Sequence, residues 1–288
     1  MKFNHSLVVT TLLLLSSTSY SALAGLVNLG AATNYNAFIH HDFLATSSDV
    51  EGRMAVGGNL TISNYSVNIK GNTQLYTDTT NSPALVVGGD LDFSSGQIAG
   101  NVFVGGGYTP TPTGTITNGT LLTSGPVPIN FDAEFEKLTN LALNLSLIDA
   151  NSTANILYSA QHLAGSGSNG LGNDLHVFSL DAADMQLTDY LLSGVDSGDT
   201  VLLNIAGKDI TTSWGNFGGS DLSLEKMSSN ILFNFFEAET LNINAAIFGS
   251  ILAPSAKIKA PTGVIWGQVI AESWEGNTQI NDNPFLDA

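Results

Sequence analysis

Three groupings of side chains in this chain have residue types that could do chemistry. Asp49, Glu51 and Arg53 alternate along one short stretch, Asp90 and Asp92 along another, and Glu272 and Glu275 form a third acidic pair. Paired carboxylates can hold a divalent cation or act as acid and base in glycoside cleavage. Calcium takes about 6–8 oxygens, so Asp49, Glu51, Asp90 and Asp92 qualify as metal ligands only if folding gathers them. Glycoside cleavage depends on a carboxylate separation that sequence does not carry. Arg53 is the one arginine in the chain. Its planar fork suits a neighbouring carboxylate, so structural pairing is its expected role. His40-His41-Asp42 invites a metal reading, but adjacent residues of a strand face opposite sides and chelate one ion poorly. His162 and His176 share no ligand spacing with that run, so surface or structural histidines are expected. The chain has no cysteine, which excludes disulfides, thiolate metal sites and cysteine nucleophiles. No Gly-x-Gly-x-x-Gly or P-loop pattern marks a phosphate cradle. These residues assign no catalytic group and no cofactor, and the chain reads as a non-enzyme, with calcium the one ion worth testing.

The elements that must position these residues follow a recurring pattern. Asp49-Val50-Glu51-Gly52-Arg53 runs into Met54-Ala55-Val56 and then Gly57-Gly58-Asn59. The apolar run and its glycine corner return at Leu85-Val86-Val87-Gly88-Gly89-Asp90 and at Val102-Phe103-Val104-Gly105-Gly106. Late variants are Ile247-Phe248-Gly249 and Ile265-Trp266-Gly267. A short apolar run ended by glycine predicts a strand that turns sharply, with glycine supplying positive φ. The late copies are spaced about one solenoid rung apart, roughly 18–20 residues. Residues 130–148 predict the clearest helix. Asn130 or Asp132 caps it, and Phe131, Phe135, Leu138, Ala142 and Leu145 form a stripe at helical spacing. Leu141, Leu143 and Leu147 widen the stripe and predict burial on more than one side. Tyr35 and Phe38 suggest a short helix covering the first coil. Residues 108–128, rich in Thr and Pro, and residues 151–173, rich in Ser, Asn and Gly, read as loops. The aspartates between 181 and 199 read as a solvated face. Asn242, Asn244 and Asn277 are candidates for a stacked ladder.

Composition narrows the class. The chain is 43% hydrophobic, enough for a sizeable core, yet only 11% charged, well under the roughly 25% of ordinary globular domains. Its net charge is −17, a field that repels phosphate backbones and anionic lipid and makes nucleic acid an unlikely partner. Residues 1–24 read as a secretory leader: Lys2 and His5, an apolar run from Leu7 to Leu15, and Ala22-Leu23-Ala24 before the cut. The run is too short to span a membrane. Cleavage after Ala24 removes one lysine and leaves residues 25–288 as a single domain. No anchoring segment follows the closing Pro284-Phe285-Leu286.

Asn34-Tyr35-Asn36-Ala37-Phe38 followed by Asp49 to Asn59 resembles the opening signature of the choice-of-anchor A domain of exported bacterial surface proteins. The copy at 86–91, the Phe131 helix, the step Ile251-Leu252-Ala253-Pro254 and the closing Asn283-Pro284-Phe285 fit the same pattern. The resemblance covers about Leu26 to Phe285 and implies an exported adhesive module, secreted or at the cell surface, whose partner is a glycan, polymer or other surface ligand. Its motif residues here are Asp49, Glu51, Gly52, Arg53, Gly57, Gly58, Gly88 and Gly89, and it brings no catalytic residues. The late units also resemble the ice-binding β-solenoid family, in which a long helix lies along the coils. The expected fold is mainly β: an irregular, right-handed β-solenoid with the 130–148 helix alongside, its N-terminal coils (about 49–107) stacked against its C-terminal coils (about 230–281). Adhesion is the leading function. Ice binding, which needs a flat and regular Thr or Ala face, and a polysaccharide-active enzyme are the alternatives.

Overall fold

The computed structural model describes residues 27–286, apart from 72–82, 112, 124, 168–173, 188, 214–215, 219–226 and 261. The expected leader and its cleavage site lie outside the described residues.

The apolar triplets explain the architecture. Met54–Val56, Leu85–Val87 and Val102–Val104 are three-residue strands buried at every position. Their first and last residues face a core inside the solenoid, while Ala55, Val86 and Phe103 face a second core outside it. A strand covered on both sides loses the polar alternation of a half-exposed one. The strands stack in parallel and in register, Met54 beside Leu85 and Leu85 beside Val102.

The order of coils is not the order of sequence. The first strand, Ala37–Ile39, has Met54–Val56 on one side and Val269–Ala271 on the other, both parallel. From this middle coil the chain winds outward to the strands Gly114–Thr117 and Leu121–Leu122. The α-helix Phe131–Ser146 (α1) then carries it back past its starting point. A second arm winds inward through Leu175–Asp181, Thr200–Ala206, Ile231–Asn234, Ser250–Ala260 and Val269–Gly276. The expected stacking of the early coils against the late ones is what closes the molecule.

Helix α1 covers the outer core. Asn130 caps it, its side-chain oxygen accepting the Ala133 N–H at 3.2 Å. Phe131, Phe135, Leu138, Ala142 and Leu145 are all buried, as their spacing predicts. Phe38 stacks on Phe131 and Phe135 with ring centroids 5.4 Å apart in each case. At the far end Asn234 donates to the Ala142 carbonyl and Asn204 to the Leu145 carbonyl, each at 2.9 Å. Of the wider stripe only Leu141 packs, half-buried, against the outer core; Leu143 is 44% and Leu147 79% exposed, because the helix lies on a single surface.

Three further expectations are corrected. The predicted helix through Tyr35 and Phe38 is a 3₁₀ turn over Gly30–Asn34, and Phe38 belongs to the first strand. The Thr- and Pro-rich stretch forms the strands Tyr108–Pro110, Gly114–Thr117 and Leu121–Leu122. They make the outermost coil of the first arm, an edge position where the donor missing from proline is tolerated. Residues 153–164 form a hairpin, Thr153–Leu157 against Ala160–Ala164. Its corner residues Tyr158 and Ser159 have φ of 51° and 66°, the tight-hairpin conformation usually signalled by Asn-Gly.

The late corner Gly249 has the expected positive φ, 154°, but the early glycine corners work differently. Gly57, Gly58, Gly88, Gly89, Gly105 and Gly106 are not among the glycines with positive φ. They are needed for close stacking: a Cβ on Gly88 would lie 2.2 Å from the Gly57 carbonyl oxygen, and one on Gly105 would lie 2.5 Å from that of Gly88. Gly88→Ala is expected to cost about 1–3 kcal/mol in urea unfolding, the range for overpacking a tight site. Gly107→Ala, whose added methyl meets nothing closer than 3.4 Å, is expected to cost less than half of that.

Candidate functional site

The charged signature holds the two arms together. Asn36 is fully buried at the head of the first strand. Its side-chain N–H groups donate to the carbonyls of Gly267 and Asn281, both at 3.0 Å, and its oxygen accepts the Gly52 N–H at 3.2 Å. Glu51, 4% exposed, accepts from the Asp282 N–H at 3.0 Å and from Gln279 at 3.3 Å. It forms an ion pair with Lys70 at 2.6 Å, and Arg53 is buried beside the same seam. Asp49 accepts from Gln279 at 3.1 Å. Burial pushes the Asp49 carboxyl above its ordinary value, helped by nearby Glu51 and opposed by the Gln279 bond and Lys70.

The second acidic stretch also serves stacking. Asp42 Oδ1 accepts the Asn59 N–H at 2.7 Å, Asn59 Oδ1 the Asp90 N–H at 2.9 Å, and Asp90 Oδ1 the Gly107 N–H at 2.6 Å. One side-chain oxygen on each coil thus satisfies a backbone donor on the next. Asp92 points outward in line with Thr61 and Thr109. Asp49 and Glu51 lie two coils from Asp90 and Asp92. Among the described residues no group of three or more His, Asp or Glu side chains converges to hold an ion.

The described histidines hold surface and structural positions, as expected, but the geometry of the first pair differs. His40 and His41 occupy a corner, so they do not face opposite sides; their rings stack at 4.1 Å, and His40 stacks on Phe135 at 4.4 Å. His40 Nε2 is 2.9 Å from Asp132 Oδ1, and His41 is 4.0 Å from Glu272. Asp199 is not on a solvated face. It is fully buried with His176, at 3.1 Å, and accepts the Asp174 and Asp196 N–H groups at 3.1 and 2.8 Å. The Ser166 N–H reaches His176 Nδ1 at 3.3 Å, and a Cβ on Gly165 would come within 2.8 Å of that nitrogen. The arrangement ties a loop to the strand carrying His176. No spacing in the sequence signals it, since the partners are far apart in the chain.

Opposite the seam's buried aromatics, Phe43 and Trp274 stacked at 5.7 Å, lies a broad outward face. Its central row, read across neighbouring strands, runs Thr109, Asp92, Thr61, Leu44, Glu275, Lys259, Asn242 and Thr211. Asn242, Asn244 and Asn277 do not form the expected ladder. Asn277 Oδ1 accepts from the Thr46 N–H at 2.8 Å and its hydroxyl at 3.0 Å, while the Asn242 amide reaches Thr211 at 3.5 Å. The three asparagines line a recess of about 470 Å³ with Leu44, Lys259 and Glu275. A second recess of about 450 Å³ continues along the same strands past Lys257 and Glu272.

This coil order, with its lengthwise helix, defines a class of parallel β-solenoid closed by pairing its first coil with its last. The family described as "Putative Ice-binding-like adhesive domain" matches residues 28–282, and the chain belongs to that family. Both resemblances drawn from the sequence meet in it. No curated protein matches the chain in sequence. Among solved structures, it is similar to an ice-binding protein from an Antarctic biological consortium, at 14% identity over 96% of each chain with a TM-score of 0.42. A glycosylated ice-binding protein from an Arctic yeast is 14% identical over 91% of this chain and 96% of that one, with a TM-score of 0.45. An ice-binding protein domain from Shewanella frigidimarina is 13% identical over 93% and 100%, with a TM-score of 0.41. All three scores lie below 0.5. No α-helix of the described residues is long and apolar enough to cross a membrane.

The raised Asp49 gives a prediction with a sign. A carboxyl whose folded value is raised adds stability at low pH that is lost as pH rises through that value. Asp49→Asn is therefore expected to raise the melting temperature at pH 7, where the ionised group is disfavoured. The gain should vanish once both states are protonated near pH 3. A loss of stability at pH 7 would show that the charge itself holds the seam.

Proposed function

We propose that this chain is an exported, non-enzymatic adhesive module that holds glycan or polymer surfaces through its broad outward face. Membership of an adhesive family supports the general role. The observation that carries the choice of adhesion over ice binding is the make-up of the central row. An ice-matching face needs one small residue type repeated coil after coil, and here Asp92, Leu44, Glu275 and Lys259 interrupt the threonines. Such a row offers charge, apolar contact and hydrogen-bonding groups in turn, which suits many weak contacts with a polar polymer. Export is proposed from the sequence of residues 1–24.

The test is a glycan and matrix-protein array probed with the exported protein, in calcium and again in chelator. Saturable, selective binding in both conditions is expected, on protein whose N-terminal residue is Gly25. Absence of binding together with thermal hysteresis at micromolar protein would replace this reading with ice binding.

A further inference from the structure

The second arm ends in a four-stranded sheet whose outer edge is open. Its strands lie in the order Asn216–Gly218, Asp189–Ser193, Ala160–Ala164 and Thr153–Leu157. The first three are parallel, as in the coils, and the last turns back antiparallel. Among the described residues no strand lies beyond it. The corner Tyr158-Ser159 closes on the pair Leu157 and Ala160. The backbone groups of Thr153, Asn155 and Leu157 therefore turn toward the neighbouring strand, and those of Ala154 and Ile156 point to the open edge.

Soluble proteins blunt a sheet edge with lysine, proline or a bulge. This edge has none of them: the strand reads Thr-Ala-Asn-Ile-Leu, in unbroken register with its neighbour. It is apolar and exposed, Ile156 at 57%, Leu157 at 49% and Tyr158 at 99%. Between Asp149 and Asp174 the sequence holds no Asp, Glu, Lys or Arg. In a chain of net charge −17, two copies repel each other wherever their acidic surfaces meet. This stretch lets two copies meet without like charges facing. A second uncharged stretch, residues 93–131, forms the end of the first arm. That end is blunted, because the strand Tyr108–Pro110 closes on a residue with no N–H to donate.

We infer that the chain forms a twofold dimer by pairing Thr153–Leu157 antiparallel with the same strand of a second copy. One register satisfies every outward group of the strand. With Asn155 opposite its counterpart on the axis, Ala154 faces Ile156 of the second copy, and each such pair exchanges both of its N–H···O bonds. Leu157 then lies across from Thr153 of the second copy. A twofold contact of this kind is self-complementary and closes at two copies. Strands of five residues make a small interface, so the dissociation constant is on the order of 10–100 µM. The inference goes beyond the adhesive reading and holds whatever the outward face binds. Its consequence for adhesion is that a dimer presents two such faces to one surface, which raises avidity without any new contact to the ligand.

The experiment is sedimentation velocity of the exported protein over concentrations that bracket this range, at low salt and at about 0.15 M, where the screening length falls to about 8 Å. A monomer–dimer equilibrium is expected, tightening several-fold with salt as the repulsion between copies is screened. Ile156→Lys, at an exposed position, should weaken it more than tenfold at an unchanged melting temperature. Leu122→Lys adds the same charge at the end of the first arm, at a residue 52% exposed, and should stay within twofold. Register is read with cysteine in a chain that has none, since residues opposed on the axis lie within disulfide reach. With oxidised glutathione, Asn155→Cys should link into a dimer at least tenfold faster than Leu157→Cys, which faces Thr153 instead. A monomer at every concentration, association that survives Ile156→Lys or is lost in Leu122→Lys, oligomers that grow past two copies, or equal linking of the two cysteine variants overturns the inference.

Discussion

The side-chain amide of Asn36 is the closure on which the two arms depend. It is fully buried and joins three coils: Gly52 behind it, and Gly267 and Asn281 from the other end of the chain. A net hydrogen bond is worth about 1 kcal/mol, but leaving its buried partners unpaired costs about 1–3 kcal/mol each. The value of the hub therefore lies in what its loss would expose. Around it the joint is doubled on both faces. Inside, Phe43 stacks on Trp274; outside, Glu51 collects Lys70, Gln279 and the Asp282 N–H. The charged cluster at the centre of the family signature is thus the fastening of the fold.

Helix α1 makes the two arms one body. Its first turns rest on the middle coil through Phe38, and its last turns receive Asn204 and Asn234 from the second arm. Those asparagines also bond each other at 2.8 Å, so the outer core ends in a small polar network with its donors satisfied by helix carbonyls. Near the helix start Glu134 accepts the Ala31 N–H and pairs with Lys137. Burial pushes its carboxyl up, but these two partners outweigh that and hold it below the ordinary value. The strut is fixed at both ends by polar contacts and along its length by packing.

What was legible in the sequence was local. Unbroken triplets such as Leu85-Val86-Val87, the glycine pairs after them and the Phe131 stripe each report their own surroundings, and each led to the right element. The hairpin at Tyr158-Ser159 was missed because its corner lacks glycine and asparagine. The His176–Asp199 pair was missed because burial of two titratable groups far apart in sequence leaves no periodic mark. The recesses on the outward face were illegible for a related reason. Lys257 and Lys259 read simply as the outward positions of a strand, and only the register that sets Leu44 beside Glu275 brings the lining residues together.

The coil order also sets a sequence of events. The first strand cannot fill both sides of its ladder until residues 269–271 arrive, and the Asn36 bonds span separations of 231 and 245 residues. Contacts of such range demand that loop entropy be spent before they return anything, which makes folding slow. During synthesis the first arm can stack its own coils, but the seam closes only after the last coil exists, and until then one edge of the first coil stays without its neighbour.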